Sequence, residues 1–141
     1  MATTTATITL ASTDLTDNAL SISNTATLYT AGTDTGITET TGLARVKTST
    51  GSNTILLDFG LTSGVAQDIT ADKSAKVYIK NINDRGDGTK YVDILIKTRE
   101  IGRLYGGDWM FIPYSGGTGE DIEYTASDTT ETTLEYCVFY E

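Results

Sequence analysis

The sequence predicts an all-β protein, an antiparallel β-sandwich with a jelly-roll-like order of strands. Threonine makes up roughly one residue in five of the chain, and its β-branched side chain suits a pleated, half-buried surface better than a helix. Short apolar segments alternate with polar residues at a period of two, and clusters of turn residues separate them. No segment keeps the apolar period of about 3.6 residues over the dozen or so residues that a helix needs.

The front of the chain is unusually polar and holds only weak strand signals. Aliphatic residues alternate with polar ones at a few positions, namely Ile8, Leu10, Leu20, Ile22 and Leu28. We therefore expect residues 1–15 to form either an extended polar arm, lying on a neighbouring subunit, or a first strand. Residues 16–141 are expected to form a single sandwich domain, because a chain of 141 residues is too short for two ordinary domains.

Later segments are richer in apolar residues and predict most of the sandwich. The predicted strands cover residues 44–47, 53–59, 76–80, 91–97, 103–105, 109–112, 121–124 and 132–140. Residues 83–88 contain Asn, Asp and Gly, which predicts a hairpin loop between the strands on either side. Residues 106–108, Gly-Gly-Asp, predict a second tight turn of this kind. Short strands separated by turns at this spacing are typical of a sandwich.

Apolar side chains occupy both faces of the predicted strand at residues 109–112. Trp109 and Phe111 share one face, and Met110 and Ile112 share the other, which predicts burial on both sides. The domain core would cover one side and a partner subunit the other, so we expect the chain to assemble with itself. The candidate interface or core residues are Trp109, Phe111, Tyr105, Tyr114, Tyr136, Val138 and Phe139.

The sequence lacks the usual chemistry of an active site. It contains no histidine and a single cysteine, Cys137, so it offers neither a Ser-His or Cys-His pair nor a zinc ligand set. We predict no catalytic residues, no metal site, no cofactor and no enzymatic activity. The Asn81–Gly88 loop is rich in Asn and Asp, but it does not match the ligand spacing of an EF-hand. Binding of an ion by this loop is left open.

Charge and hydropathy argue against two classes of partner. The chain has a formal net charge of −9, and its lysines are scattered, so we expect no binding to nucleic acid. No apolar run approaches the eighteen or so residues that a membrane span requires, and we expect no membrane partner.

Three motifs follow one another between residues 75 and 141. They are Val77–Asn81, Ile101–Pro113, and the pair formed by Asp121-Ile122 and Leu134–Tyr140. In this order they resemble segments of small virion proteins of tailed bacteriophages. The resemblance lies in the packing of strands and in turns, not in the chemistry of a site.

The resemblance implies a β-sandwich that assembles symmetrically, often as a trimer, on a phage capsid or tail. It implies a chain made in the cytoplasm of a host bacterium and located in the virion. The function expected from it is that of a head decoration (cement) protein, which binds the major capsid protein in the assembled capsid and stabilises the shell. A neck, tail or fibre component of the virion is an alternative. A carbohydrate-binding module, with Trp109 and nearby tyrosines as its sugar platform, is a second alternative.

Overall fold

The computed structural model of the chain describes residues 3–14, 19–30, 32–48, 53–58, 75–86, 88–115, 119–127 and 131–141. Within these ranges all regular structure is β, which confirms the predicted fold class. The strands are β1 (Thr5–Ser12), β2 (Leu20–Thr27), β3 (Glu39–Thr40), β4 (Ala44–Thr48), β5 (Thr54–Leu57), β6 (Ala75–Asn81), β7 (Val92–Ile96), β8 (Arg99–Leu104), β9 (Trp109–Tyr114), β10 (Ile122–Ala126) and β11 (Thr132–Tyr140).

The chain divides into two compact units, Met1–Thr38 and Glu39–Glu141. The first unit contains an antiparallel hairpin of β1 and β2, in which Thr5 lies opposite Thr27 and Ser12 opposite Leu20. The sequence places a boundary near residue 15, whereas the structure places it after Thr38. The difference arises because the first strand pairs with β2 instead of extending alone as an arm.

The second unit consists of two antiparallel sheets. One sheet has the order β5-β10-β7-β8. The other has the order β3-β11-β6-β9, and β4 also pairs with β11. β3 and β4 both pair with β11, and the segment between them has one residue more than the facing segment of β11, which makes a β-bulge. Gly42 lies in this bulge with a φ of 69°, which favours glycine. The antiparallel sandwich is confirmed, and the jelly-roll-like strand order stays a prediction.

Side chains from both sheets form one hydrophobic core. Its fully buried members include Leu56, Leu57, Val77, Ile79, Val92, Ile94, Ile122, Leu134 and Val138. The alternation of buried and half-buried residues along β6 and β10 directs every second side chain into this core. Burial of this apolar surface is the main term that stabilises the unit.

Both predicted hairpins are wrong, because each joins strands of different sheets. β6 lies in the five-stranded sheet and β7 in the four-stranded sheet, so residues 82–91 cross between the layers. β8 and β9 are separated in the same way. The tight turn predicted at Gly106–Asp108 is confirmed, since the Asp108 N–H donates to the Tyr105 carbonyl at 2.9 Å, but it forms a corner between the sheets. The hairpin in this region joins β7 to β8 through Lys97 and Thr98, whose φ values are 47° and 66°.

Candidate interaction surface

An aromatic row crosses the outer face of the five-stranded sheet. Tyr78 on β6 lies opposite Phe111 on β9 and Cys137 on β11. Directly opposite residues of antiparallel strands share a face of the sheet. Because the neighbours Val77 and Ile79 point into the core and are fully buried, this row must point outward.

The rows on either side carry further aromatic and apolar residues. Trp109 lies opposite Lys80, while Pro113 and Phe139 both lie opposite Lys76. The Tyr78 and Trp109 rings are 6.4 Å apart between centroids, which is within the range of a favourable aromatic pair. We call this surface the aromatic face; its members are Tyr78, Trp109, Phe111, Pro113, Cys137 and Phe139.

The aromatic face remains partly open to solvent. Trp109 exposes 49% of its surface, and Tyr78, Phe111 and Phe139 are half-buried. An exposed tryptophan with adjoining aromatic rings is unusual on a surface that meets only water, and tryptophan is enriched among the residues that contribute most to binding. The arrangement therefore suits contact with another molecule.

Cations surround the aromatic face although the chain as a whole is acidic. Lys76 and Lys80 lie on β6 within it, and Arg45 and Lys47 extend from β4 on the same side of the sheet. Arg45 pairs with Glu135 at 2.9 Å, and this carboxylate is largely buried beside Tyr78.

Two physical effects raise the pKa of the Tyr78 hydroxyl. Burial comes first, because it disfavours the charged tyrosinate. The negative charge of Glu135 acts in the same direction. Tyr78 is therefore a neutral hydrogen-bonding group at physiological pH, in keeping with a role in packing and recognition.

The structure separates the candidate residues predicted from the sequence. Trp109, Phe111 and Phe139 meet on the aromatic face, whereas Tyr136 and Val138 are buried in the core. The other two differ: Tyr114 is half-buried, packs against the core and donates a hydrogen bond to the Glu120 carbonyl, whereas Tyr105 is 42% exposed.

Within one chain the core covers only one side of β9. Met110 and Ile112 pack against the core, but Trp109 on the opposite side is about half exposed. The strand lies at the edge of its sheet, where fewer neighbours cover the outer face. Coverage of that face by a partner stays a prediction.

Tyr105 belongs to a separate stack associated with the four-stranded sheet. Its ring centroid lies 5.6 Å from that of Tyr91, and the Arg103 guanidinium lies 3.8 Å from the Tyr91 centroid. Arg103 donates two hydrogen bonds to Asp93, at 2.6 and 3.0 Å. Sequence analysis missed this group, since its members come from two separate segments, residues 91–93 and 103–105. Its polar atoms bond to one another, so it offers fewer unused contacts than the aromatic face.

Asn81 has a structural role that the sequence does not indicate. Its side chain is fully buried and donates hydrogen bonds to the carbonyl groups of Lys90 and Leu104, at 3.2 and 3.0 Å. Its side-chain oxygen accepts from the backbone and the side chain of Asn83, at 3.1 and 2.5 Å. Asn81 thus ties the β6–β7 crossover to the end of β8.

The sequence leaves binding of an ion by the Asn81–Gly88 loop open. In the described part of the chain, no group of three or more acidic, Cys or His side chains is placed to hold a metal ion. Asp84 accepts a hydrogen bond from the backbone of Gly86 at 3.0 Å, as in an Asx turn. Asp87, also part of this loop, lies outside the described residues.

Comparisons with known proteins add no relative. No protein-family model matches the chain, and a search of curated proteins finds no significant match. Among the described residues, no helix has the length and apolar character needed to cross a membrane.

Proposed function

We propose that this chain is a non-enzymatic structural protein of a tailed-bacteriophage virion, a head decoration (cement) protein that binds the assembled capsid as a homo-oligomer. The observation that supports this proposal is the aromatic face, an open surface around Trp109. The motifs that resemble virion proteins supply much of its strands, because Val77–Asn81 form most of β6 and Leu134–Tyr140 most of β11.

The physical argument is that a decoration protein needs contact area and no catalysis. A stable interface buries about 800 Å² on each partner, and its central residues are enriched in Trp and Tyr. A protein that binds the assembled lattice better than free subunits stabilises the shell by mass action. The lysines beside the aromatic face add electrostatic attraction to an acidic capsid surface.

The test combines copy number with binding. Particles of the phage that encodes this chain are purified, and the chain is quantified by mass spectrometry relative to the major capsid protein. Hundreds of copies per particle are expected for a shell protein, because a symmetric lattice repeats each binding site many times. A few tens of copies or fewer would overturn the head assignment and favour the neck, tail or fibre alternative.

Binding is then measured by sedimentation with shells that lack the chain. Trp109→Ala is expected to reduce binding at least tenfold, because an aromatic anchor at the centre of an interface often contributes about 2 kcal/mol or more. The matched control is Ile101→Ala, which truncates another exposed apolar residue, on β8 in the other sheet. Equal effects of the two substitutions would remove the aromatic face from the proposal.

A carbohydrate-binding module is the second candidate, favoured by the open Tyr78–Trp109 ring pair. Glycan-array binding that Trp109→Ala abolishes, without binding to shells, would establish this alternative.

A further inference from the structure

The hairpin of β1 and β2 has two chemically different faces. Its register places Leu10 opposite Ile22, and Ile8 opposite Asn24. With their same-face neighbours they form the apolar hairpin face, whose members are Ala6, Ile8, Leu10, Leu20, Ile22 and Ala26 together with Ser12 and Asn24. The opposite face is formed by Thr5, Thr7, Thr9, Ala11, Ser21, Ser23, Thr25 and Thr27.

Hydrogen bonds organise the hydroxyl-rich face, whereas the apolar hairpin face is open. Thr7 and Thr25 are joined through their hydroxyl groups at 2.8 Å, and Thr9 and Ser23 at 3.4 Å. On the other side Leu10 exposes 52% of its surface and Ile22 50%, as a cross-strand pair. A two-stranded hairpin is at best marginally stable in water unless its apolar face is covered.

The hairpin also lacks the residues that protect two edge strands of the sandwich, β8 and β9. The edge strand β8 carries the charged residues Arg99, Glu100 and Arg103, and the edge strand β9 carries Pro113. Charges and proline on an edge oppose pairing with another chain. β1 and β2, eight residues each, contain neither a charge nor a proline. At the chain's charged fraction of 21%, their sixteen residues would carry about three charges.

The distribution of charge favours a second copy of this chain as the partner of the apolar hairpin face. Each copy carries a net charge of −9, so copies repel one another over most approaches. The hairpin presents sixteen uncharged residues to a second copy, and its apolar face meets an identical apolar face without desolvating any ion. A nucleic acid or an anionic lipid surface would find no cation on either strand.

We propose that hairpins of two or more copies of this chain pack together through their apolar faces, with the Leu10–Ile22 pair near the centre of the contact. The inference rests on the self-assembly included in the proposed function and names the surface that produces it. In place of the extended arm expected for residues 1–15, this inference has a hairpin that packs against the same hairpin of another copy.

The size of the contact sets the expected strength. Two strands of eight residues cover roughly 25 Å by 10 Å, or about 250 Å² per copy, at the usual strand rise and spacing. This is well below the area of a standard stable interface, so association should depend on concentration in the micromolar range.

The experiment measures the mass of the full chain by light scattering from about 5 to about 500 μM, the range that such a small interface requires. The native chain is expected to change from monomer toward an oligomer over this range. Leu10→Glu should shift the midpoint at least tenfold to higher concentration, because it introduces a charge into the apolar contact. The matched control is Thr9→Glu, which adds the same charge one residue away on the hydroxyl-rich face and should leave the midpoint within about twofold.

A mixing experiment separates loss of contact from loss of folding. Leu10→Glu and Leu10→Lys copies, each monomeric alone, should associate when mixed, since opposite charges then meet across the contact. The inference is overturned if the native chain is monomeric throughout, if Leu10→Glu behaves like Thr9→Glu, or if the mixture does not associate. Binding of the monomeric variants to phage shells is measured separately, so that shell binding without hairpin association would refute this inference and leave the proposed decoration function standing.

Discussion

Asn81 offers the sharpest test of how the two sheets are joined, and we expect Asn81→Ala to lower the free energy of unfolding by about 3 kcal/mol. The largest share comes from the Leu104 carbonyl, whose hydrogen bond from Asn81 is buried. Leaving such an acceptor without a donor costs about 1–3 kcal/mol. The bonds to Lys90 and Asn83 are only partly buried, so water can replace them in part, and we assign about 0.5 kcal/mol to each of the three.

The assay is urea unfolding followed by the fluorescence of Trp109, the single tryptophan, which lies on β9 in the sandwich. A loss of about 3 kcal/mol corresponds to a decrease in melting temperature of roughly 10 °C for a domain of this size. The matched control is Asn53→Ala, because the Asn53 side chain accepts one exposed hydrogen bond from Thr125 and should contribute under about 0.5 kcal/mol.

A second variant at Asn81 tests the direction of the hydrogen bonds. Asn81→Asp keeps the shape of the side chain but faces two backbone carbonyl groups with oxygen atoms only. At neutral pH it should be less stable than Asn81→Ala, and it should recover as the pH falls, because protonation restores one donor. If Asn81→Ala is as stable as Asn53→Ala, the buried network does not hold the crossover and the explanation is incorrect.

Three further predictions concern the turns and the core. Gly106→Ala should destabilise the sandwich by at least about 2 kcal/mol in urea unfolding, because a Cβ at Gly106 would overlap the backbone carbonyl of Asp84. Replacing Lys97 with Asn and Thr98 with Gly should raise stability by about 1–2 kcal/mol in the same assay, since both residues have positive φ in a two-residue hairpin turn; an unchanged midpoint would contradict this. Burial raises the pKa of the Tyr136 hydroxyl in the folded state. The stability that this hydroxyl contributes is therefore complete below the unfolded-state pKa of about 10 and is lost as the pH rises through the folded-state pKa. Tyr136→Phe should reduce this loss of stability at alkaline pH.

Alternation of apolar and polar residues predicts β6 and β11, two of the strands that form the core. Val77 and Ile79 on β6, and Leu134, Tyr136 and Val138 on β11, occupy every second position of their strands, and all five side chains are buried in the structure. Periodicity of this kind reports which face of a strand is buried. It contains no information about which strand lies alongside, and both hairpin errors follow from that limit.

The residue types in the turns of this chain explain the two wrong hairpin predictions. Asn81 and Asn83 have the composition of a hairpin loop, but their side chains serve a crossover by bonding to backbone groups distant in sequence. The true hairpin turn contains Lys97 and Thr98, which carry no glycine or asparagine signal. Contacts with β10 hold it, since the backbone N–H of Thr98 donates to Glu123 and that of Lys97 to the Asp121 carbonyl, both at 3.2 Å.

Only part of the aromatic face could be predicted from the sequence, for a related reason. Trp109 and Phe111 were placed on one face from their spacing, but Tyr78 joins them only because β6 lies beside β9. The tyrosines at 105, 114 and 124 are close to Trp109 in sequence, yet the folded chain distributes them among a surface stack, a loop contact and the core. Proximity along the chain is therefore a poor guide to an aromatic surface in a sandwich.

The two open apolar surfaces of this chain differ in charge, and the difference implies different partners. Lys76 and Lys80 flank the aromatic face, so its binding to an acidic shell should weaken as salt screens those charges. The strands of the hairpin carry no charge, so association through Leu10 should not weaken with sodium chloride, which screens the repulsion between acidic copies, and should be strengthened by sulfate, which favours apolar burial. A single salt titration followed by both shell sedimentation and light scattering therefore distinguishes the two surfaces. If salt weakened shell binding and self-association to the same extent, one surface would serve both contacts. That result would contradict the proposal that the sandwich binds the shell and the hairpin binds a second copy.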